Sequence, residues 1–224
     1  MKQIPLPIDT EAARTFDNFL PGTNALALAH LRALGAPAAP VYLWGGSGSG
    51  KTHLLQAVVR QFEEQGALAS WFDSAQPPPW QFDETRALIV IDGCDSLDAG
   101  QQHSAFALFV ESSTHGVPLV AAGRVPPVDL PLREDLRTRL GWGHVFALQL
   151  LGEPEVRARL RREADQRGLF LSDEVMDYVL VRFERDLKHL MALLGRLDKF
   201  AMTTQRPITV PLLKQMLLEE GGAP

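Results

Sequence analysis

A single cysteine, Cys94, stands in 224 residues. The chain can therefore close no internal disulfide, it suits a reducing compartment, and it lacks the paired Cys/His spacing of a zinc site. No apolar run approaches the ~18–20 residues that span a bilayer, and no secretory leader opens the sequence, so it reads as cytoplasmic with no membrane partner. Positive charge is short: 22 Lys and Arg face 27 Asp and Glu, for a net charge of −5. A protein whose main business is coating nucleic acid needs a basic face to neutralise phosphates, and that class is disfavoured, though a local patch stays open. The hydrophobic fraction of 46% is that of an ordinary globular protein, enough for one good core and a small second domain.

Glycine, by contrast, is densest in one short stretch. Gly45-Gly46-Ser47-Gly48-Ser49-Gly50-Lys51-Thr52 fits the phosphate-loop pattern G-x-x-x-x-G-K-[ST], between a β-prone run, Val41–Trp44, and apolar residues at helical spacing from His53 onward. Glycines let successive backbone N–H groups turn inward as an anion nest, and the following helix adds its N-terminal dipole. In such a loop Lys51 reaches the β- and γ-phosphates and the Thr52 hydroxyl holds Mg²⁺. The alternative is a Gly/Ser loop with a chance lysine; the strand–loop–helix context favours a nucleoside di- or triphosphate site.

Residues 1–14 carry two prolines and no periodicity, and read as an extended tail. Helix is expected over 23–34, from the phosphate loop to Gln65, over 101–113 and over 133–139; strands over 68–72, 87–91, 118–122 and 144–148. Strands alternating with helices mean a parallel sheet covered on both faces, an α/β domain over 15–150. After Leu150 the texture changes: 153–167, 172–183, 185–204 and 210–219 all read as helix, giving a small helical domain over 151–224.

Asp92 closes the 87–91 strand, where a phosphate-loop protein keeps the carboxylate that orders Mg²⁺. The alternative is an acid capping a strand end. The next position, often a Glu or Asp that orients the attacking water, is Gly93, and Asp95 could replace it only if the turn aims it. Nucleotide binding reads as intact and the hydrolytic base as missing, a loss of roughly 10²–10⁴ in rate.

Four segments together resemble the DnaA-related branch of the AAA+ proteins: Thr15-Phe16-Asp17-Asn18-Phe19 with Pro21-Gly22 and Asn24; the loop ending Lys51-Thr52-His53-Leu54-Leu55; the Asp92 strand; and Leu136-Arg137-Thr138-Arg139-Leu140-Gly141-Trp142-Gly143, similar to the family's SRxxWG box. The helical 153–219 region is similar to the family's lid. The resemblance implies an AAA+ P-loop domain with a parallel sheet, followed by an α-helical lid, binding ADP or ATP with Mg²⁺. Its nucleotide residues would be Gly45 to His53 and, in the lid, Lys188, which stands where the family keeps a sensing arginine. Its metal residues would be Thr52 and Asp92. Lys188 could equally be a solvated helix lysine, and His53 reads as structural rather than catalytic.

The departures narrow the resemblance. The sequence stops at Pro224, where DnaA continues into an origin-reading helix-turn-helix domain. It opens with Gln3-Ile4-Pro5-Leu6-Pro7-Ile8, which looks like the Q-x-x-L-x-[LI] peptide that docks on the DNA polymerase sliding clamp (its β subunit). Prolines pre-set an extended backbone for docking, Gln3 offers an amide, and Ile4, Leu6, Pro7 and Ile8 offer apolar groups. A short DnaA-like module with that tail resembles the Hda-type regulatory inactivators of DnaA.

That resemblance implies an in-trans arginine finger at Arg139, with Arg137 as fallback. The alternative is a surface arginine paired to Glu134 or Asp135. Val120-Ala121-Ala122 offers no polar first sensor, so ADP is the expected working ligand. Trp71, Trp80 and Trp142 are expected to pack, and Cys94 to ligate nothing. The implied function is negative regulation of replication initiation, with DnaA and the clamp as partners, DNA met only through the clamp, and a homo-oligomer left open. The competing readings are an autonomous AAA+ ATPase, such as a helicase loader or transposition helper, and an initiator-like protein that joins DnaA filaments without the clamp.

Overall fold

The computed structural model describes residues 13–183 and 187–219, the side chain of Lys188 excepted. The chain forms two compact units, and the main change of unit falls between Leu148 and Gln149.

The first unit holds five strands: β1 (Val41–Trp44), β2 (Leu68–Phe72), β3 (Arg86–Ile91), β4 (Leu119–Gly123) and β5 (His144–Ala147). All pair in parallel, in the order β2-β3-β4-β1-β5. The sheet is the expected one. β4 is buried throughout and β3 from Leu88 onward, so these strands are continuous apolar runs instead of alternating ones.

Alternation instead sorts residues between two cores, because successive side chains leave opposite faces. Val41, Leu43, Leu88, Val90, Val120 and Ala122 pack beneath α1 (Ala25–Arg32) and α2 (Lys51–Glu64). Tyr42, Ile89, Ile91, Leu119 and Ala121 pack beneath α3 (Ala99–His115) and α4 (Glu134–Gly141).

Boundaries shift by a few residues for local reasons. The helix expected from Thr23 begins as a 3₁₀ turn, Gly22–Asn24, and α1 proper starts at Ala25. α3 begins two residues earlier than expected because Asp98 and Gln101 form a capping box: Asp98 Oδ1 accepts Gln101 N–H at 2.8 Å and Gln101 Oε1 accepts Asp98 N–H at 2.9 Å.

The second unit is helical: α5 (Glu153–Gln166), α6 (Asp173–Arg182), α7 (Leu187–Thr204) and α8 (Val210–Glu219). Val156 and Leu160, Val175 and Met176, Leu193 and Leu197, and Leu213 and Met216 bring one buried face from each helix into a single core. Among the described residues no helix is long and apolar enough to cross a membrane.

Candidate nucleotide site

The strands run parallel, so their C-terminal ends share one edge of the sheet, and that edge carries the site. β1 ends at Trp44 and α2 begins at Lys51. Gly50 caps α2 at φ +93°, a conformation L side chains rarely adopt, and a Cβ there would lie 2.6 Å from Phe19 Cε2. Phe19 thus closes on the back of the loop. Its ring also meets His53 edge-on at 5.3 Å, and His53 Nε2 lies 2.8 Å from the Thr15 carbonyl, which can only accept. Burial pushes the His53 pKa below its ordinary value against the opposing pull of that bond.

The Thr15–Phe19 box is tied to itself. Thr15 N–H donates to Asn18 Oδ1 at 2.9 Å, Asn18 N–H to Thr15 Oγ1 at 3.3 Å, and Asn18 Nδ2 to Ala13 O at 2.8 Å. The resulting turn presents Phe16 and Phe19 to the core as buried rings.

Lys51 folds over its own loop, Nζ donating to Gly45 O at 2.7 Å. Burial lowers its pKa, Asp92 and Asp95 oppose that shift, and Arg124 adds to it. Thr52 Oγ1 donates to Asp92 Oδ2 at 2.7 Å, while Asp92 Oδ1 accepts Gly93 N–H at 2.9 Å. Asp92 N–H in turn donates to Phe72 O at 2.9 Å, which anchors the end of β3 to β2. A hydroxyl and a carboxylate held side by side are the hard oxygen donors that Mg²⁺ prefers, and a glycine loop ending in a half-buried lysine suits a phosphate. These residues fit both groups. Thr52 and Asp92 would hold the ion, which neutralises phosphate charge when bound.

Gly93 stands at φ +66° and opens the 3₁₀ turn Cys94–Ser96. The site therefore lacks a carboxylate here and also sets the backbone in a shape that disfavours one. The turn commits Asp95 to Arg124. Its Oδ1 accepts Arg124 N–H at 3.0 Å and its Oδ2 pairs with Arg124 Nε at 2.9 Å. Ala121 and Ala122 are fully buried in β4 and bring no polar atom. Cys94 is buried, and its thiol is pushed up to about 12 by that burial, which leaves it inert.

In α4, Leu136 and Leu140 are the buried residues, and Arg139 is not among them. Its guanidinium carbon sits 4.4 Å above the Trp142 ring. The expected packing holds for Trp80, buried against Phe72, and for half-buried Trp71, whose Nε1 donates to Asp73. Trp142 departs from it: 68% exposed, it serves as a platform for Arg139. Asp135, the expected competitor for Arg139, pairs with Arg133 at 2.7 Å, and Arg139 makes no ion pair among the described residues. Gly143 completes the box for a steric reason. A Cβ there would run into the Pro40 carbonyl oxygen, which accepts His144 N–H at 2.8 Å as β5 begins.

Gln3, Ile4, Leu6, Pro7 and Ile8 lie outside the described residues, as does the side chain of Lys188 on the first turn of α7. Sequence reasoning missed the Asp95–Arg124 pair and the Tyr42 hydroxyl bond to Val125 O at 2.9 Å, which fixes the segment after β4.

Comparison with known proteins gives the same outline. The family model for the bacterial DnaA ATPase domain matches residues 10–69, and that for the Hda lid domain matches residues 153–217. An uncharacterized protein of Haemophilus influenzae is 31% identical over 230 residues, covering 96% of this chain and 98% of its own. Domain III of the Thermotoga maritima replication initiation protein DnaA has a TM-score of 0.75 at 22% identity, over 93% of this chain and 97% of that one. AMPPCP-bound DnaA from Aquifex aeolicus has a TM-score of 0.74 at 19% identity, over 94% of this chain and 70% of that one. At such identities the structures speak for the fold, and the sequence matches supply the family. This chain belongs to the DnaA-related AAA+ proteins, of the kind that carries an Hda-type lid.

Proposed function

We propose that this protein is a negative regulator of DNA replication initiation, a nucleotide-holding adaptor that makes DnaA hydrolyse its own ATP. The observation that carries the reading is the contrast between two arginine-bearing sites. At the phosphate loop the base position is a left-handed glycine, Gly93, and the nearest substitute, Asp95, is committed to Arg124. At α4, Arg139 rests on an exposed indole with no acid claiming it among the described residues.

The chain's own site is built to hold a nucleotide, with Gly45–Thr52 for the phosphates and Thr52 and Asp92 for Mg²⁺. ADP is the working ligand, since neither Gly93 nor Ala122 can use a γ-phosphate. Arg139 enters the neighbouring DnaA site in trans and neutralises charge developing on the γ-phosphoryl oxygens, an effect of about 10³–10⁵ in rate in favourable cases. Gln3, Ile4, Leu6, Pro7 and Ile8 tether the protein to the sliding clamp, so that regulation follows DNA synthesis and contact with DNA is indirect.

The test is turnover of DnaA-bound ATP with clamp loaded on DNA, with and without this protein. Arg139→Ala should lose the stimulation and keep clamp binding; unchanged stimulation removes the finger. A Gln3→Ala/Leu6→Ala variant should stop co-eluting with the clamp and keep its nucleotide affinity. Multi-turnover hydrolysis by this chain alone would favour an autonomous ATPase instead.

A further inference from the structure

The Asp95–Arg124 pair is built with unusual care for two side chains beside a solvent-facing loop. The Asp95 side chain is only 13% exposed, against 70% for Arg124. Asp95 takes both the backbone N–H and the Nε of Arg124, which pins the guanidinium at its base and leaves its fork turned outward. The segment is also fixed from below. Tyr42 donates to Val125 O, and a Cβ on Gly123 would run into the Tyr42 hydroxyl.

Asp92, Asp95 and Arg124 all lie close enough to Lys51 for their charges to act on its amine. Two cations and two anions thus meet around the lysine that ends the phosphate loop, and their formal charges cancel before any third phosphate arrives. An incoming γ-phosphate would add negative charge beside Asp95, and the guanidinium that could receive it is already held at its Nε by that carboxylate. A diphosphate ends short of that repulsion.

We propose that Asp95 and Arg124 set this site's preference for a nucleoside diphosphate over a triphosphate, the Asp95 carboxylate serving as Arg124's anion in place of a third phosphate. The inference rests on the nucleotide-site reading above. Asp95 acts through Arg124 and through its own field, as a specificity determinant.

Calorimetric affinities of the full chain for ADP and for AMPPCP, each with Mg²⁺, test it. Asp95→Asn keeps the shape and removes the charge, and should shift the affinity ratio toward AMPPCP by about tenfold. Arg124→Gln leaves Asp95 charged and unpaired, and should shift the ratio toward ADP by a similar factor. Ratios that stay within about twofold, or that move the same way in both variants, overturn the proposal. If Asp95→Asn does not fold, the exposed Arg124→Gln decides alone. Lys51→Ala separates this from the underlying reading: it should weaken both nucleotides, and undiminished binding of both would remove the nucleotide site itself.

Discussion

At the residue scale, Gly93 shows how backbone shape alone can disfavour a side chain. Its φ of +66° opens the turn that carries Cys94 and Asp95, and a Cβ there meets nothing within 4 Å. The obstacle to restoring a carboxylate is therefore backbone conformation and not space. Gly93→Glu should cost about 1–2 kcal/mol of folding stability, and Gly93→Asn, which tolerates left-handed backbone, distinctly less. Denaturant midpoints compare the two directly.

Thr52 and Asp92 make a second residue-scale prediction. Thr52→Val removes the hydroxyl that donates to Asp92 at 2.7 Å while keeping the shape. ADP affinity should then lose most of its Mg²⁺ dependence, read as binding with the ion against binding with chelator.

His53 supplies the pH dependence. Its folded pKa lies below the unfolded 6.5, so between those values the unfolded chain binds more protons. Its contribution is intact above about pH 6.5 and is lost as pH falls through the window beneath it. His30, lowered by burial and by His144 alongside, has the same sign. Urea midpoints should drop from pH 7 to pH 5, and His53→Gln should shallow that slope without abolishing it.

At the scale of elements, α3 does more than cover the sheet. Gln101 is 3% exposed and, besides its part in the capping box, donates through Nε2 to Ser74 O at 3.0 Å and Gln76 O at 2.8 Å. It ties the proline-rich segment after β2 to the first turn of α3. Gln101→Leu keeps the volume, removes the side-chain partners of Ser74 O and Asp98 N–H and leaves Gln76 O with Trp80 Nε1 alone, at a cost of about 1–2 kcal/mol. Calorimetric melting checks it; an unchanged melting temperature would mean the loop finds other donors.

Elements were also where the sequence was most readable. The glycine loop, the apolar run ending at Asp92 and the helical texture after Leu150 are local patterns, and each matched its element to within a few residues. The Asp98-x-x-Gln101 cap was legible too, but Gly100 in the first turn masked it. The Asp95–Arg124 pair, the Tyr42–Val125 bond and the close approach of Gly143 to Pro40 were not legible. Each joins positions 29 to about 100 residues apart, and only the strand order brings them together. The order β2-β3-β4-β1-β5 itself leaves no local trace in composition.

At the scale of the whole molecule, net charge weighs on the partner class. With 27 acids against 22 bases, duplex DNA finds no net attraction in this chain. Fluorescence anisotropy at physiological salt should detect no binding to duplex at micromolar protein. Adding loaded clamp should retain the protein on DNA, and the Gln3→Ala/Leu6→Ala variant should not be retained. Tight duplex binding without the clamp would instead point to a basic face, and would revive the DNA-dependent ATPase.

The turn at Thr15–Phe19 has a mechanical meaning. Its carbonyl at Thr15 meets His53 on one side of the phosphate loop's end, and its Phe19 ring leans on Gly50 at the other. Whatever tugs on the stretch ahead of Thr15 pulls on a fastening that grips the start of α2. A pull there would load the end of the loop to which the proposed function assigns the phosphates, so tension and nucleotide retention would share one joint.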